Sequence, residues 1–242
     1  MLPNPAATPA FAPADQPSAP NFDRVAWCYD TLAGLVFGPA LRRAQRAALQ
    51  HLPAGAPRVL VVGGGTGWVL AEVLRHRPKA TVLYLEASAA MLRRSQAQLL
   101  RAGAAKRAQV VFRHGTQADL QPADGPFDAL VTFFVLDCLP APALPAAVAQ
   151  LAALRRPGAP WLVADFAPPH TAWQRLLLGA MYRFFRLTTG LAARALPPLR
   201  PALGAVGLQV QEPAQWFYGG AVEALVFNEP GVGAAAVAAP PG

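Results

Sequence analysis

The sequence predicts an α/β protein with a doubly wound, mostly parallel seven-stranded sheet, helices on both faces and an antiparallel C-terminal strand pair. Three observations lead to this fold class. Short, continuously apolar runs such as "RVLVV" at 58–62 are typical of strands that are covered on both faces. Segments with helical periodicity alternate with these runs. A glycine-rich stretch, "GGGTG" at 63–67, follows the first strand, where such sheets bind ligands.

The alternation of strands and helices extends through most of the chain. A helical segment at 22–52 comes first. Strands of the parallel part are then expected at 58–62, 80–86, 108–115, 127–137 and 160–166. Helices are expected between them at 68–77, 88–103 and 144–159.

The C-terminal part breaks this rhythm. Thr171 and Gln174 have the spacing of a capping box, which predicts a helix that runs to about Leu187 and is stopped by Gly190. Two strand-like runs follow, at 208–219 and 221–229, close enough in sequence to pair antiparallel.

Composition sets the domain limits and the expected surroundings. Residues 1–21 are a Pro/Ala tail that is expected to be disordered, residues 22–229 form a single domain, and residues 230–242 form a flexible tail. The net charge of +8 comes almost entirely from arginine, and without lysine-rich runs or aromatic-studded basic strands a nucleic-acid partner is not expected. Two cysteines without metal spacing predict no metal site. No signal peptide or bilayer-length apolar stretch is visible, so the protein is expected in the cytoplasm.

The glycine stretch indicates a ligand that approaches the main chain closely. A phosphate-binding P-loop needs Lys-Ser/Thr after its last glycine, and here Trp68 and Val69 follow. A dinucleotide fingerprint needs glycine where Trp68 stands. The second strand ends in Glu86, nineteen residues after Gly67. A carboxylate there can accept hydrogen bonds from both hydroxyls of a ribose, although a solvated strand end would look the same.

Four motifs together resemble the class I S-adenosylmethionine-dependent methyltransferases, and within them the ubiquinone/menaquinone methyltransferase-like branch. The motifs are "RVLVVGGGTGWVLAEV", "LYLEASAAMLRRS", "VVFRHGTQADL" and "FDALVTFFVLDCL", preceded by "NFDRVAWCYD", which is similar to the lead-in of that branch. The resemblance covers residues 22–227. It implies S-adenosyl-L-methionine as cofactor and methyl transfer as the activity, and it names no acceptor.

The resemblance also implies roles for individual residues. Glycines of the loop would lie against the methionine part of the cofactor, namely Gly63, Gly64, Gly65 and Gly67. Glu86 would hold the ribose, with Ala87 and Met91 near the adenine and Thr116 and Gln117 at its amino group. Tyr29 would close over the cofactor, and Phe133 and Phe134 would separate it from the acceptor.

Two positions depart from the family pattern. Val61 stands where an acidic residue is common, and Thr116 stands where an acid often binds the adenine amine, with Asp119 nearby. These departures keep an alternative open: a catalytically silent binding or partner module that retains the fold. Aminopropyl transfer with the same cofactor is a weaker option, because it needs acidic residues for a polyamine and this chain is poor in acids.

Methyl transfer from a sulfonium is an in-line displacement, so a general base is needed only for a protonated acceptor. Asp137 after the fourth strand is the first candidate and Asp165 at the end of the fifth is the second, although Asp137 has the alternative of a helix cap or a loop acid. His114 and His170 are lesser candidates.

The segment 168–211 suggests the acceptor. It carries five arginines and no acid, and its helix has apolar residues on more than one face. Burial against the sheet would explain this pattern. The alternative is an apolar lid over a small, lipophilic or aromatic acceptor, with arginines in peripheral contact with anionic lipid.

Overall fold

The computed structural model describes Asp23 and residues 36–101, 109–211 and 214–231. Six helices are present in this part of the chain: α1 (Ala40–Leu49), α2 (Trp68–His76), α3 (Ala89–Arg101), α4 (Leu144–Ala153), α5 (Ala172–Thr189) and α6 (Leu199–Ala205). Eight strands accompany them: β1 (Arg58–Val62), β2 (Thr81–Glu86), β3 (Val110–His114), β4 (Ala129–Phe133), β5 (Trp161–Phe166), β6 (Gln209–Val210), β7 (Gln215–Phe217) and β8 (Val222–Asn228). Short 3-10 turns follow β3, β4 and β7.

The strands form one mixed sheet in the order β3-β2-β1-β4-β5-β8-β6, with β7 also paired to β8. The first five strands are parallel, and β8 runs antiparallel to β5. The predicted fold class and the antiparallel C-terminal strands are confirmed. The strand count is eight instead of seven, because the run at 208–219 is divided into β6 and β7, which pair with opposite ends of β8.

Helices cover both faces of the sheet because alternate strand residues point to opposite sides. On β1, Val59 and Val61 belong to one core cluster, while Leu60 and Val62 belong to the other. The first cluster takes in buried residues of α1, α2, α3 and α5, and the second takes in those of α4 and α6. This doubly wound arrangement brings the carboxyl ends of β1 to β5 to one edge.

Helix α5 begins as the sequence predicts. The Thr171 side chain accepts a hydrogen bond from the backbone N–H of Gln174, and the Gln174 side chain accepts one from the backbone N–H of Thr171, which completes the capping box. The helix ends at Thr189 rather than Leu187, and Gly190 follows it with a φ of 70°.

Several sequence predictions lie outside the described residues. They include the tail at 1–21, the part of the helical segment before residue 36 except Asp23, the end of the helix at Gly103, and Tyr29. Within the described ranges, no helix combines the length and the apolar character needed to cross a bilayer.

Candidate functional site

A cleft of about 1670 Å³ opens at the carboxyl edge of the parallel strands. Loops that follow β1, β2, β3 and β4 contribute to its wall, and residues of α1 and α5 cover it from the sides. The sheet order sets a sequence of groups along this edge: Thr116 after β3, Glu86 on β2, the glycine loop after β1, and Asp137 after β4. Adjacent strands lie about 4.8 Å apart, so these groups follow one another in a row.

The loop after β1 needs glycine for two different reasons. A Cβ on Gly63 would come within 2.1 Å of the Val135 side chain, and one on Gly64 within 2.1 Å of the Tyr84 ring. These two glycines therefore allow close packing of the loop. Gly65 has a φ of +66°, and a Cβ there would meet no protein atom within 4 Å because it would point into the open cleft. Gly65 thus leaves room for a ligand against the main chain.

Glu86 ties the loop to the end of β2. It is 5% exposed, and its carboxylate accepts hydrogen bonds from the backbone N–H groups of Gly65 and Ser88, both at 2.8 Å. Burial raises the pKa of Glu86, and the two backbone hydrogen bonds oppose that rise. The carboxylate lines the cleft and has further lone pairs to offer, so it can accept hydrogen bonds from a diol.

The loop after β3 forms one end of the cleft. Thr116 and Gln117 line it together with Ala87 from the β2–α3 connection and Met91 from the start of α3. The Asp119 carboxylate accepts hydrogen bonds from the Thr116 N–H at 2.7 Å and from its hydroxyl at 3.2 Å. Asp119 therefore fixes the turn in which Thr116 stands, and it lines the same end of the cleft.

Aromatic side chains line the cleft beyond the end of β4. Phe133 is the last residue of the strand, and Phe134 follows with a φ of 54°, which is rare for a residue with a side chain. The Phe134 ring lies 5.3 Å from the ring of Phe166, which lies 5.2 Å from the ring of Phe37. All four residues line the cleft, so its floor near β4 and β5 is apolar and aromatic.

Two buried aspartates come from the segments at the carboxyl ends of β4 and β5. Asp137 lines the cleft at 6% exposure, and its Oδ1 has no hydrogen-bond partner among the described residues. Asp165 is 1% exposed, and its Oδ2 accepts a hydrogen bond from the Asp137 N–H at 3.3 Å. Burial raises the pKa of both carboxyls, and the neighbouring negative charge of Asp137 raises that of Asp165 further. Both carboxyls therefore lose their protons at a higher pH than an exposed aspartate does.

Most of the predicted site residues come together in this cleft, and two do not line it. Gly67 lies behind the loop, where a Cβ would come within 2.8 Å of the Ser95 backbone. Asp165 lies below the cleft and contacts it through the Asp137 backbone. The side chains of His114 and His170 are exposed, and neither residue is part of the cleft wall. Val61 is fully packed in the core at 1% exposure.

Sequence reasoning missed several residues that line the cleft or support its wall. Tyr84 supports the loop from below, since its hydroxyl donates to the Gly65 carbonyl at 3.0 Å. Tyr182 on α5 donates to the Asp137 carbonyl at 3.2 Å and so joins this helix to the site. Arg42 and Trp68 line the opposite side. A single buried tyrosine or an arginine on an amphipathic helix carries no local signal, so only the tertiary arrangement identifies them.

Comparisons with known proteins agree with this geometry. The family described as "Methyltransferase domain" matches residues 59–158. A ubiquinone/menaquinone biosynthesis C-methyltransferase, UbiE of Syntrophotalea carbinolica, is 29% identical over 204 residues, which cover 79% of this chain and 81% of the relative.

Solved structures share the fold at low identity. The O-methyltransferase NcsB1, in complex with S-adenosylmethionine and 2-hydroxy-5-methyl naphthoic acid, has a TM-score of 0.61 at 18% identity over 86% of this chain. The chain spans only 58% of the length of NcsB1. The [4+2]-cyclase SpnF has a TM-score of 0.62 at 15% identity, with 88% of this chain and 98% of SpnF covered.

The matched methyltransferase domain and the similar C-methyltransferase support a class I S-adenosylmethionine-dependent methyltransferase, and the solved structures share its fold. The residues present fit this cofactor: Gly65 leaves open space against the main chain, and the buried Glu86 carboxylate keeps unused acceptor capacity beside it.

Proposed function

We propose that this methyltransferase acts on a small, lipophilic or aromatic acceptor that binds between the aromatic floor of the cleft and helix α5. One observation carries the proposal. The cleft continues from the cofactor-binding edge into a region walled by Phe37, Phe134 and Phe166 and, across from them, by Met181 and Phe185 of α5. Aromatic walls favour flat apolar ligands through ring stacking and apolar burial. The naphthoic acid bound by NcsB1, a protein of the same fold, is a ligand of this kind.

The chain itself aligns the reactants. S-adenosyl-L-methionine, when bound, supplies a methyl group that is already activated toward a nucleophile. Glu86, Gly63 and Gly65 would hold the adenosyl and methionyl parts, and Phe133 and Phe134 would set the direction from which the acceptor approaches. Orientation of this kind supplies at most about 7–11 kcal/mol of the barrier. The apolar walls would also keep water away from the transfer.

Asp137 is the residue that we propose as general base. Its Oδ1 lacks a hydrogen-bond partner among the described residues, and the aspartate stands where the cleft passes from the glycine loop to the aromatic floor. The Asp165 carboxylate accepts the backbone N–H of Asp137 and would hold this segment in place, and Asp137 in its ionised form would act as the base. An acceptor hydroxyl would then give its proton to Asp137 Oδ1 as its oxygen takes the methyl group. Asp165 would act through Asp137, as a positioning residue.

A panel of acceptors tests this proposal. Release of S-adenosylhomocysteine is measured with hydroxynaphthoic acids, quinols and phenols, and with polar amines as the contrasting class. We expect turnover with the aromatic hydroxyl compounds, and a loss of about 10²-fold or more in Asp137→Asn. Asp128→Asn is the matched control, because Asp128 lies just before the amino end of the same strand and pairs with Arg156. Turnover of polar amines alone, or an Asp137→Asn variant with full activity, would refute the assignment.

The second candidate function is a catalytically silent module that keeps the fold and the cofactor. The support for it is that Val61 and Thr116 stand where the family resemblance leads us to expect acidic residues. Thermal shift with S-adenosylmethionine and with S-adenosylhomocysteine separates the two candidates. A shift with both ligands combined with no turnover of any acceptor would favour the silent module, whereas turnover would exclude it.

The outer surface of α5 supports a further part of the proposal, peripheral contact with anionic lipid. Leu176 and Leu187 are 76% and 73% exposed on this surface, while Met181 on the inner side lines the cleft. Arg183 lies between them, and within the described residues no carboxylate pairs with it. Exposed leucines interspersed with arginines are typical of helices that lie in the plane of an anionic membrane surface. Helix α5 would then separate the lipid from the acceptor region.

Vesicle flotation tests this contact. The full chain should float with vesicles of phosphatidylcholine and phosphatidylglycerol and should stay behind with phosphatidylcholine alone. The double variant Leu176→Ser/Leu187→Ser should lose flotation. Leu100→Ser on α3 is the control, because Leu100 is 54% exposed and lies on another helix. Absence of flotation in the wild type, or an unchanged double variant, would refute lipid contact and leave the cofactor site untouched.

A further inference from the structure

Two carboxylates meet on the face of the sheet that α4 and α6 cover. Asp165 of β5 lies directly opposite Glu223 of β8 in the antiparallel pair. On both strands the flanking residues belong to the core cluster of the other face, so the two side chains point to the same face. Opposite residues in such a pair have Cβ atoms about 4.5–5.5 Å apart. Both residues are buried, so two like charges here repel each other with little screening by water.

One cation compensates for these charges. Arg200 is the only charged residue of α4 and α6, and its Nη2 lies 2.6 Å from Glu223 Oε2. The Glu223 side chain is 4% exposed and that of Arg200 is 43% exposed, so the ion pair joins the buried face to solvent. Three prolines flank Arg200 and stiffen the backbone that carries it, namely Pro197, Pro198 and Pro201.

The chain of contacts continues from Asp165 to the cleft. The backbone N–H of Asp137 donates to Asp165 Oδ2, and burial together with the charges of Asp137 and Glu223 raises the pKa of Asp165. The other titratable groups beside Asp137 are the Cys138 thiol and the Tyr182 hydroxyl. Burial raises the pKa of both, so both are neutral near pH 7. Within the described parts of the chain, these three carboxylates therefore have one cation in ion-pair contact, on α6.

We propose that Arg200 is a positioning residue of the active site, which acts through Glu223 to control the charge of Asp165 and Asp137 from outside the cleft. Neither Arg200 nor Glu223 lines the cleft. The guanidinium neutralises Glu223, so the two aspartates do not face a third uncompensated negative charge. This role rests on the proposed function, in which Asp137 is the general base, and it adds the group that sets the pH at which this base becomes available.

Carboxyl ¹³C NMR of the cofactor-free protein tests this control, and no acceptor is needed. Burial raises the pKa of Asp137 to about 6, and the Asp137→Asn variant identifies its signal. In Arg200→Gln the titration midpoint of Asp137 should rise by about 0.5 to 1 pH unit, since a positive charge is lost. In Glu223→Gln it should fall by a similar amount, because the guanidinium is left without its partner. Solvent around Arg200 screens its charge and keeps both shifts small.

The double variant Arg200→Gln/Glu223→Gln removes both charges and should titrate within about 0.2 pH unit of the wild type. Arg200→Lys keeps the charge and should also stay close to the wild type. Arg156→Gln is the matched control, because Arg156 pairs with Asp128 before the amino end of β4, and its loss should leave the midpoint unchanged. A purely structural role would shift both single variants in the same direction. Such a common shift, or unchanged midpoints in both, would overturn the inference.

The pH dependence of kcat/KM separates this inference from the proposed function. Its midpoint should rise in Arg200→Gln and fall in Glu223→Gln, as the NMR midpoint of Asp137 does. NMR midpoints that move while the kcat/KM profile stays fixed would contradict Asp137 as the base and leave the control of its charge by Arg200 standing. NMR midpoints that stay fixed, together with an inactive Asp137→Asn variant, would overturn the role of Arg200 and leave the proposed function intact.

Discussion

Replacing Glu86 with Gln removes one charge and one acceptor oxygen and keeps the size of the side chain. The carboxylate faces the cleft at 5% exposure, so a ligand hydroxyl bonded to it is largely shielded from water. A hydrogen bond to a charged group contributes about 1.5–3 kcal/mol. Losing one such bond corresponds to about 10- to 150-fold weaker binding. Calorimetry with S-adenosylhomocysteine measures this loss, and an affinity within about twofold of the wild type would refute the ribose contact.

The same substitution must leave the fold intact for that result to count. Glu86→Gln keeps an acceptor for one of the two N–H groups of Gly65 and Ser88, and the other N–H loses its partner. That loss costs about 1–3 kcal/mol, while removal of a buried charge offsets part of it. We expect the free energy of unfolding without ligand to stay within about 2 kcal/mol of the wild type in urea denaturation.

Cofactor affinity should also depend on pH through Glu86. Burial raises the pKa of this carboxyl above its ordinary value of 4.5. Near neutral pH the buried ionised carboxylate therefore lowers the free energy of unfolding of the free protein, and this destabilisation disappears as the pH falls toward 4.5. Ribose hydroxyls donate to the ionised form, so binding should weaken as the pH falls through the raised pKa. Titrations across pH 4.5 to 7 should show this slope in the wild type and lose it in Glu86→Gln. A slope that persists in the variant would assign it to another group.

Three further predictions address the loop, the base and the core. Gly65→Ala and Gly55→Ala both place alanine at a positive φ (+66° and +84°), which costs about 1–2 kcal/mol of strain in each variant. Only Gly65→Ala puts a methyl group into the cleft, so only this variant should bind the cofactor more weakly. Equal cofactor affinities in the two variants would contradict this prediction. Burial raises the pKa of Asp137 to about 6, so kcat/KM for the acceptor should rise as the pH increases through 6. Asp137→Asn should lose this rise, and a variant with an unchanged pH profile would exclude Asp137 as the base. Thr132→Val removes the hydroxyl that accepts a 2.9 Å hydrogen bond from the buried Trp161 N–H. The free energy of unfolding in urea denaturation should therefore fall by about 1–3 kcal/mol. An unchanged free energy of unfolding would mean that another group accepts this hydrogen bond in the variant.

The parts of the fold that follow a local period were predictable from the sequence. The apolar run of β1 and the capping box of α5 depend on neighbouring residues, and the structure has both. The division of the run at 208–219 was not predictable. Both halves pair with β8 at opposite ends, and the residues of the run do not indicate which part of β8 each half will meet. Strand β4 was predicted too long for a similar reason, because Phe134 adopts a φ of 54° that its sequence does not indicate.

The residues of the candidate site likewise include some that the sequence predicts and some that it does not. Glu86 and Gly65 were found because a strand end and a glycine loop have fixed spacing, and both line the cleft. Asp165 was placed at the rim by its position at the end of β5, but its side chain points below the cleft to the Asp137 backbone. Arg42 was missed because α1 reaches the loop only through tertiary packing against Trp68. Sequence spacing therefore identifies site residues at the strand ends, but it does not identify the site residues on the helices that cover the cleft.

A co-crystal structure with S-adenosylhomocysteine tests the central claim most directly. The account predicts that both ribose hydroxyls donate to Glu86, that the main chain of Gly65 touches the ligand, and that the thioether sulfur faces the aromatic floor beside Asp137. Density for the ligand in another part of the molecule, or a ribose turned away from Glu86, would contradict the account.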